Sequence, residues 1–172
     1  MERLSACIRD VPDFPRSGIV FKDITPLLAD PAALALAVEL MANPFRDARV
    51  EVVVGAESRG FIFGTAVAQA LSAGFVPIRK PGKLPGETHQ ISYGLEYGQD
   101  RVEIHKDAIA NGQRVLMVDD LLATGGTMEA CCKLVERIEG TIVGAAVLIE
   151  LMELDGRERL KRFADVHAVL RA

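Results

Sequence analysis

The chain has 172 residues, enough for one sizeable core and too few for two comfortable ones, and its 49% apolar and 26% charged side chains are ordinary for a globular protein. A net charge of −4 argues against nucleic acid as the main partner, since binding a phosphate backbone needs a basic surface. No run reaches the roughly 18 uninterrupted apolar residues of a membrane span; the two longest, Ala32 to Ala42 and Ile142 to Met152, are broken by Glu39 and Glu150.

Met1 to Asp10 carries charges at Glu2, Arg3, Arg9 and Asp10 and no apolar stretch, so no secretion signal is expected. Asp30-Pro31 predicts an N-cap followed by proline at the first helical position, opening a helix to about Met41. Val50 to Gly55 is a β-branched run ending in glycine, the pattern of a buried strand, and a helix is expected from Gly60 to Leu71. Phe75 to Ile78 reads as a second short strand and the wholly apolar Val115 to Val118 as a third. On the following helix, Thr127 to Ile138, a core stripe falls at Met128, Cys132, Val135 and Ile138. Ile142 to Ile149 and Val166 to Leu170 complete an alternation that predicts an α/β fold around a mostly parallel sheet.

One region breaks the alternation. Lys80 to Glu87 reads KPGKLPGE, a loop by composition, followed by alternating apolar positions at Ile91, Tyr93 and Leu95 and again at Val102 and Ile104. A β-hairpin fits the alternation. The cationic loop itself has two readings, a lid over an anionic ligand or a solvated surface loop.

Val115 to Thr127, VLMVDDLLATGGT, carries the most chemistry. An apolar strand delivers Asp119 and Asp120 to its C-terminal edge, and ligands of open α/β sheets bind outside that edge. The turn Ala123, Thr124, Gly125, Gly126, Thr127 then enters a helix, and free N–H groups at a helix N-terminus suit a phosphate. Facing a phosphate directly the two acids would repel it. Ribose hydroxyls, or a magnesium ion bridging to pyrophosphate, are the alternatives, and the segment describes a ribose-5′-phosphate site with a diol clamp. A strand end followed by a simple helix cap does not explain adjacent acids with a glycine-rich turn behind them. A Walker A loop would need Gly-Lys-Ser/Thr, and an acidic receiver site would lie nearer the N-terminus.

Cys7, Cys131 and Cys132 have no metal-site spacing and form no even framework, which points to a reducing cytoplasm. His89, His105 and His167 are scattered, so no histidine-based metal site is expected.

The VLMVDDLLATGGT segment closely resembles the phosphoribosyl pyrophosphate (PRPP) motif of type I phosphoribosyltransferases. Five further stretches are similar to the adenine phosphoribosyltransferases: DFPRSGIVFKDIT at 13–25, GAESRGF from Gly55, RKPGKLPG at 79–86, SYGLEYG at 92–98 and IELMELDGR at 149–157. The resemblance spans nearly the whole chain. It implies a type I phosphoribosyltransferase fold with a hood at about 1–30 and a flexible hairpin lid at about 80–105. The implied reaction joins adenine to PRPP, giving AMP and pyrophosphate with Mg²⁺, in a homodimer.

The resemblance also implies residue roles. Asp119 and Asp120 hold the ribose hydroxyls, directly or through magnesium, and Ala123, Thr124, Gly125, Gly126 and Thr127 bind the 5′-phosphate. Glu57, Ser58 and Arg59 match a pyrophosphate loop whose peptide is often cis; Arg59, Arg79 and Lys80 neutralise pyrophosphate and Lys83 closes over it. Phe21 stacks on the purine while backbone groups of Val20 and Lys22 read its edge, although the family commonly has arginine where Lys22 stands. Glu96 manages a proton on the imidazole edge of adenine. Two rivals share the PRPP site: a non-catalytic PRPP sensor, which usually carries a DNA-binding extension not read here, and an oxopurine enzyme, which reads a base carbonyl with a lysine side chain. The adenine-type base segment and the basic loop favour neither.

Overall fold

Residues 2–95 and 98–172 are described by the computed structural model. In chain order they form α1 (Glu2–Ser5), β1 (Arg9–Pro12), β2 (Val20–Asp23), α2 (Thr25–Ala29), α3 (Pro31–Ala42), β3 (Val52–Ala56), α4 (Gly60–Leu71), β4 (Gly74–Ile78), β5 (Thr88–Leu95), β6 (Gly98–His105), β7 (Arg114–Leu122), α5 (Gly126–Arg137), β8 (Thr141–Glu150), α6 (Gly156–Leu160) and β9 (Val166–Arg171). Five of the strands make a parallel sheet in the order β4-β3-β7-β8-β9. The chain order reverses between β3 and β7, and a crevice opens at the carboxyl ends of strands where a doubly wound sheet reverses.

The core explains the apolar runs. Val52, Val54, Val115, Met117, Ala145 and Val147 face one layer, shared with α5 and the β5–β6 hairpin. Val53, Leu116, Val118, Ala146 and Leu148 face the other, filled by α3, α4 and the N-terminal Leu4, Ile24 and Leu27. Strands covered on both faces have no polar alternation to show. The stripe expected on α5 is buried at Met128, Cys132, Val135 and Ile138, and α4 has the bounds expected of it. Helix α3 starts where Asp30 Oδ1 accepts from the N–H groups of Ala32 and Ala33 at 2.8 and 2.9 Å, as the Asp30-Pro31 pair predicts.

Two antiparallel ribbons stand apart from the sheet. β1 pairs β2, with Asp10 opposite Lys22; four-residue strands with none of their side chains fully buried carry no periodic signal. β5 pairs β6 as expected, but its root is not a free projection: Val102 and Ile104 are buried in the α5-side core, and Ile91 and Tyr93 pack against it.

Strand β7 departs from expectation at its far end. It does not stop at Val118 but runs to Leu122, because its backbone keeps pairing with β8 up to Leu122 and Glu150 whatever the side chains are. Its pairing with β3 ends at Gly55 and Val118. Asp119 and Asp120 therefore lie on a strand whose neighbour on one side has peeled away.

Candidate functional site

Both segments leaving the reversal point meet in one polar pocket of about 260 Å³, lined by Glu57, Ser58, Arg59 and the run from Asp119 to Met128. The Glu57–Ser58 peptide is cis. Gly125, at φ 80°, is the N-cap of α5, and no side chain caps this helix. Its first-turn N–H groups and positive dipole end thus face the pocket floor, an arrangement suited to an anion. Thr124 and Thr127 add hydroxyls there.

The turn is held by backbone packed on backbone. A methyl at Gly125 would lie 2.6 Å from the carbonyl oxygen of Gly156, and one at Gly156 would lie 2.1 Å from that of Ala123. Gly156 starts α6, whose Arg157 forks onto the buried Glu150 through Nε and Nη2 at 2.9 and 2.6 Å. The contact with Gly156 has no signature in sequence beyond the glycine itself.

Asp120 is 4% exposed, and its Oδ2 is buried without an aligned hydrogen bond among the described residues. Arg59 Nε stands 3.0 Å from that oxygen, an ion pair off the N–H axis. Asp119 Oδ1 accepts from the Asp120 N–H at 2.9 Å and packs on Gly60, where any side chain would meet it at 2.9 Å. Burial pushes both carboxyls above their ordinary range; the charge of Asp120 raises Asp119 further, while Arg59 opposes the rise at Asp120. A ligand that donates hydroxyls here, or brings a cation, relieves that penalty.

Arg59 also faces a second, wider cleft. Its guanidinium carbon lies 4.9 Å from the centroid of the Phe21 ring, and its Nη1 donates to the carbonyl of Lys22 at 3.5 Å. The cleft, about 790 Å³, is walled by Val20, Phe21, Lys22, Met152 and Leu154 among others and shares Arg59, Leu121, Ala123 and Thr124 with the polar pocket. Most of the large apolar side chains left exposed, Ile19, Val20, Met152 and Leu154, line it. Exposed apolar surface gathered in one place marks a binding site. Phe14 meets the edge of Phe21 with centroids 5.2 Å apart. The Lys22 ammonium turns to Asp10 at 2.8 Å, so its side chain is engaged within the ribbon while its backbone faces Arg59.

The cationic loop stands beside the polar pocket rather than in its lining. Arg79 Nε and the Lys80 N–H both donate to Glu57 Oε2 at 2.9 Å. Burial works against that charge, yet the Lys80 N–H and the Arg79 guanidinium outweigh it and hold Glu57 below the usual carboxylate range. The Lys80 ammonium pairs with Asp100, and Lys83 is exposed. Sequence reasoning missed Glu103, 2% exposed, which accepts from the Lys83 and Leu84 N–H groups, Thr88 Oγ1 and Gln90 Nε2. It alternates with the core residues Val102 and Ile104 and so reads as an outward polar position; only the folded-back loop buries it. Glu96 lies outside the described residues.

The phosphoribosyl transferase domain family matches residues 23–166. The adenine phosphoribosyltransferase of Rhodopirellula baltica is 59% identical over 95% of this chain and 79% of its own length. That of Halothermothrix orenii is 54% identical over 97% and 98%. The crystal structure of the Rhodothermus marinus adenine phosphoribosyltransferase superposes with a TM-score of 0.95 at 56% identity, covering 99% of this chain and 97% of that one. The Saccharomyces cerevisiae enzyme, solved with an imino-altritol bisphosphate and adenine, superposes at 0.93 with 39% identity over 98% and 97%. Sheet order, the acidic strand end with its glycine turn, and this likeness along the whole length place the chain in the phosphoribosyltransferase family, among the adenine phosphoribosyltransferases.

Proposed function

We propose that this protein transfers the 5-phosphoribosyl group of PRPP to N9 of adenine, giving AMP and pyrophosphate. The observation that carries the reading is the pair of clefts joined at Arg59: a polar pocket built for phosphate and a diol, and an apolar slot with a ring to stack on. The α5 N-terminus and the Ala123–Thr127 turn take the 5′-phosphate, and Asp119 and Asp120 take the ribose hydroxyls. Phe21 stacks on adenine, with backbone groups of Val20 and Lys22 at its edge.

The buried Asp120 oxygen, which has an ion-pair partner in Arg59 but no aligned hydrogen bond, and its acidic neighbour Asp119 are hard oxygen donors that would suit a magnesium ion. Among the described residues no group of three or more His, Cys, Asp and Glu could hold a metal. Bound there, it supplies charge neutralisation to the leaving diphosphate.

Pyrophosphate departs from the anomeric carbon as adenine N9 attacks from the opposite face, through an oxocarbenium-like transition state. Arg59, Arg79, Lys80 and Lys83 stabilise the charge that gathers on pyrophosphate, and the ionised acids favour the positive ribose ring. Glu96 handles the proton on the imidazole edge of the base. The β5–β6 hairpin closes over the site and excludes water that would hydrolyse PRPP.

Two copies of the chain pair, supported by Ile62, an apolar side chain 40% exposed on the first turns of α4. The enzyme works in the cytoplasm, where its free thiols Cys7, Cys131 and Cys132 stay reduced. No helix among the described residues is long and apolar enough to cross a membrane.

Purified protein given PRPP, magnesium and, separately, adenine, hypoxanthine, guanine or xanthine provides the test, with nucleotide and pyrophosphate both measured. Fast AMP formation with little from the oxopurines is the expected result. Turnover with an oxopurine instead would discard the role given to Val20 to Lys22, and saturable PRPP binding without turnover of any base would replace the enzyme by a sensor.

A further inference from the structure

A string of side chains joins the cationic loop to the phosphate turn. The Lys80 ammonium is paired with Asp100, on β6. The same oxygen, Asp100 Oδ2, accepts from the Tyr93 hydroxyl at 3.0 Å, and Tyr93 in turn meets Thr127 Oγ1 at 3.4 Å. Thr127 lines the polar pocket. Lys80 also sits 5.9 Å from the Tyr93 ring centroid. Its ammonium is thus held by a carboxylate and an aromatic ring from the hairpin, two residues away from the phosphate turn.

We propose that Asp100 is a built-in counter-ion for Lys80, which the diphosphate must displace, so that Asp100 sets how tightly pyrophosphate is held and how readily it leaves. The proposal rests on the reading of Lys80 as a diphosphate partner. Its physics is exchange. A lysine with no partner would give the incoming anion its full attraction, whereas a lysine already paired gives only the difference between two ion pairs. When pyrophosphate departs, Asp100 takes the ammonium back, so the departing anion does not leave a bare cation behind. The carboxylate is suited to this. It is half-buried, and although burial alone would raise its pKa, the Lys80 ammonium, the Arg101 N–H and the Tyr93 hydroxyl hold it low and charged.

Asparagine keeps an oxygen for the Tyr93 hydroxyl and the Arg101 N–H while removing the charge, so Asp100→Asn isolates the exchange. The experiment measures product inhibition by magnesium pyrophosphate against PRPP, together with the KM for adenine. It uses wild type, Asp100→Asn, Lys80→Met and the double variant. In Asp100→Asn the inhibition constant of pyrophosphate is expected to fall about three- to fivefold, the scale of a partly exposed ion pair. The KM for PRPP should move the same way and the KM for adenine should stay put, which a merely structural role would not produce. In the Lys80→Met background Asp100→Asn should then change nothing, because Asp100 acts through Lys80.

An unchanged or weakened grip on pyrophosphate in Asp100→Asn overturns the exchange. So does an equal tightening in both backgrounds, which would make Asp100 a general repulsive charge. Failure of the reading beneath is separate: if Lys80→Met leaves pyrophosphate inhibition as it was, Lys80 is no diphosphate partner and the exchange falls with it.

Discussion

The polar pocket is walled by the ends of two central strands and the N-terminus of α5, whereas the wider cleft beside it is walled by a two-stranded ribbon and a short turn after β8. In the first, glycines sit where any methyl would strike backbone or a carboxylate, at Gly60, Gly125 and Gly156. In the second, no such contact fixes the ribbon; Gly18 has open space around it, and the Asp10–Lys22 and Arg9–Asp23 ion pairs tie its two strands together. The difference separates two tasks. Under the proposed function, holding a phosphate and a diol at fixed distance from a reacting carbon requires a rigid frame, while gripping a flat apolar ring requires only surfaces that can settle on it.

Several substitutions would break or sharpen this contrast. The largest effect belongs to the acids. Replacing Asp119 and Asp120 together by asparagine should cut kcat/KM by about 10²–10³ or more, the scale of a lost transition-state partner; near-normal turnover would remove the diol clamp from the mechanism. Gly156→Ala comes next. Its methyl would strike the phosphate turn, and overpacking on this scale costs about 1–3 kcal/mol, so the KM for PRPP should rise and Tm fall together. Should only Tm change, the turn is not shaped by its contact with α6.

Phe21→Ala on the adaptable side should raise the KM for adenine about tenfold, the worth of stacking a base on an aromatic ring, and leave the KM for PRPP alone. If both rise, the two clefts are one mechanical unit. The smallest effect is expected from Lys22→Met, which removes an ion pair to the exposed Asp10; a change of at most about fivefold in the KM for adenine matches the weakness of surface pairs.

The acids also carry a stability cost. Burial raises the pKa of Asp119 above its unfolded value, so its ionisation disfavours the folded state as pH climbs from the ordinary carboxylate range towards the raised one, and the cost is complete above it. At neutral pH Asp119→Asn should therefore raise the Tm of ligand-free protein by about 2–4 °C, the response of a chain this size to roughly 1 kcal/mol. The gain should shrink to nothing below the unfolded pKa, as thermal melts across pH would report. A lower Tm at neutral pH would mean the charge is compensated in the free protein.

The parallel sheet was legible because Val52–Val54, Val115–Val118 and Ala145–Ile149 are buried on both faces and must be apolar throughout. The glycine turn between β7 and α5 was legible because DDLLATGGT puts acids at a strand end and small residues at a helix start. The β1–β2 ribbon was not, since its strands are short, have no buried face and gain their order from each other across a loop. The reach of β7 beyond Val118 was hidden for a related reason: pairing with β8 is a property of backbone groups, silent in side-chain pattern. Roles carried by one oxygen facing several donors, as at Glu103 and Asp100, were invisible until the loop was seen lying across the hairpin.

The seating of Gly125 on Gly156 sets a timetable for biosynthesis. A nascent chain that has exposed β3, β7 and α5 already possesses both acids and every residue of the phosphate turn. Yet the surface against which that turn takes its shape is still inside the ribosome until the segment bearing Gly156 emerges, and the Glu150–Arg157 clasp that fixes it forms only then. A turn encoded in the middle of the message thus takes its final shape from a segment encoded after it.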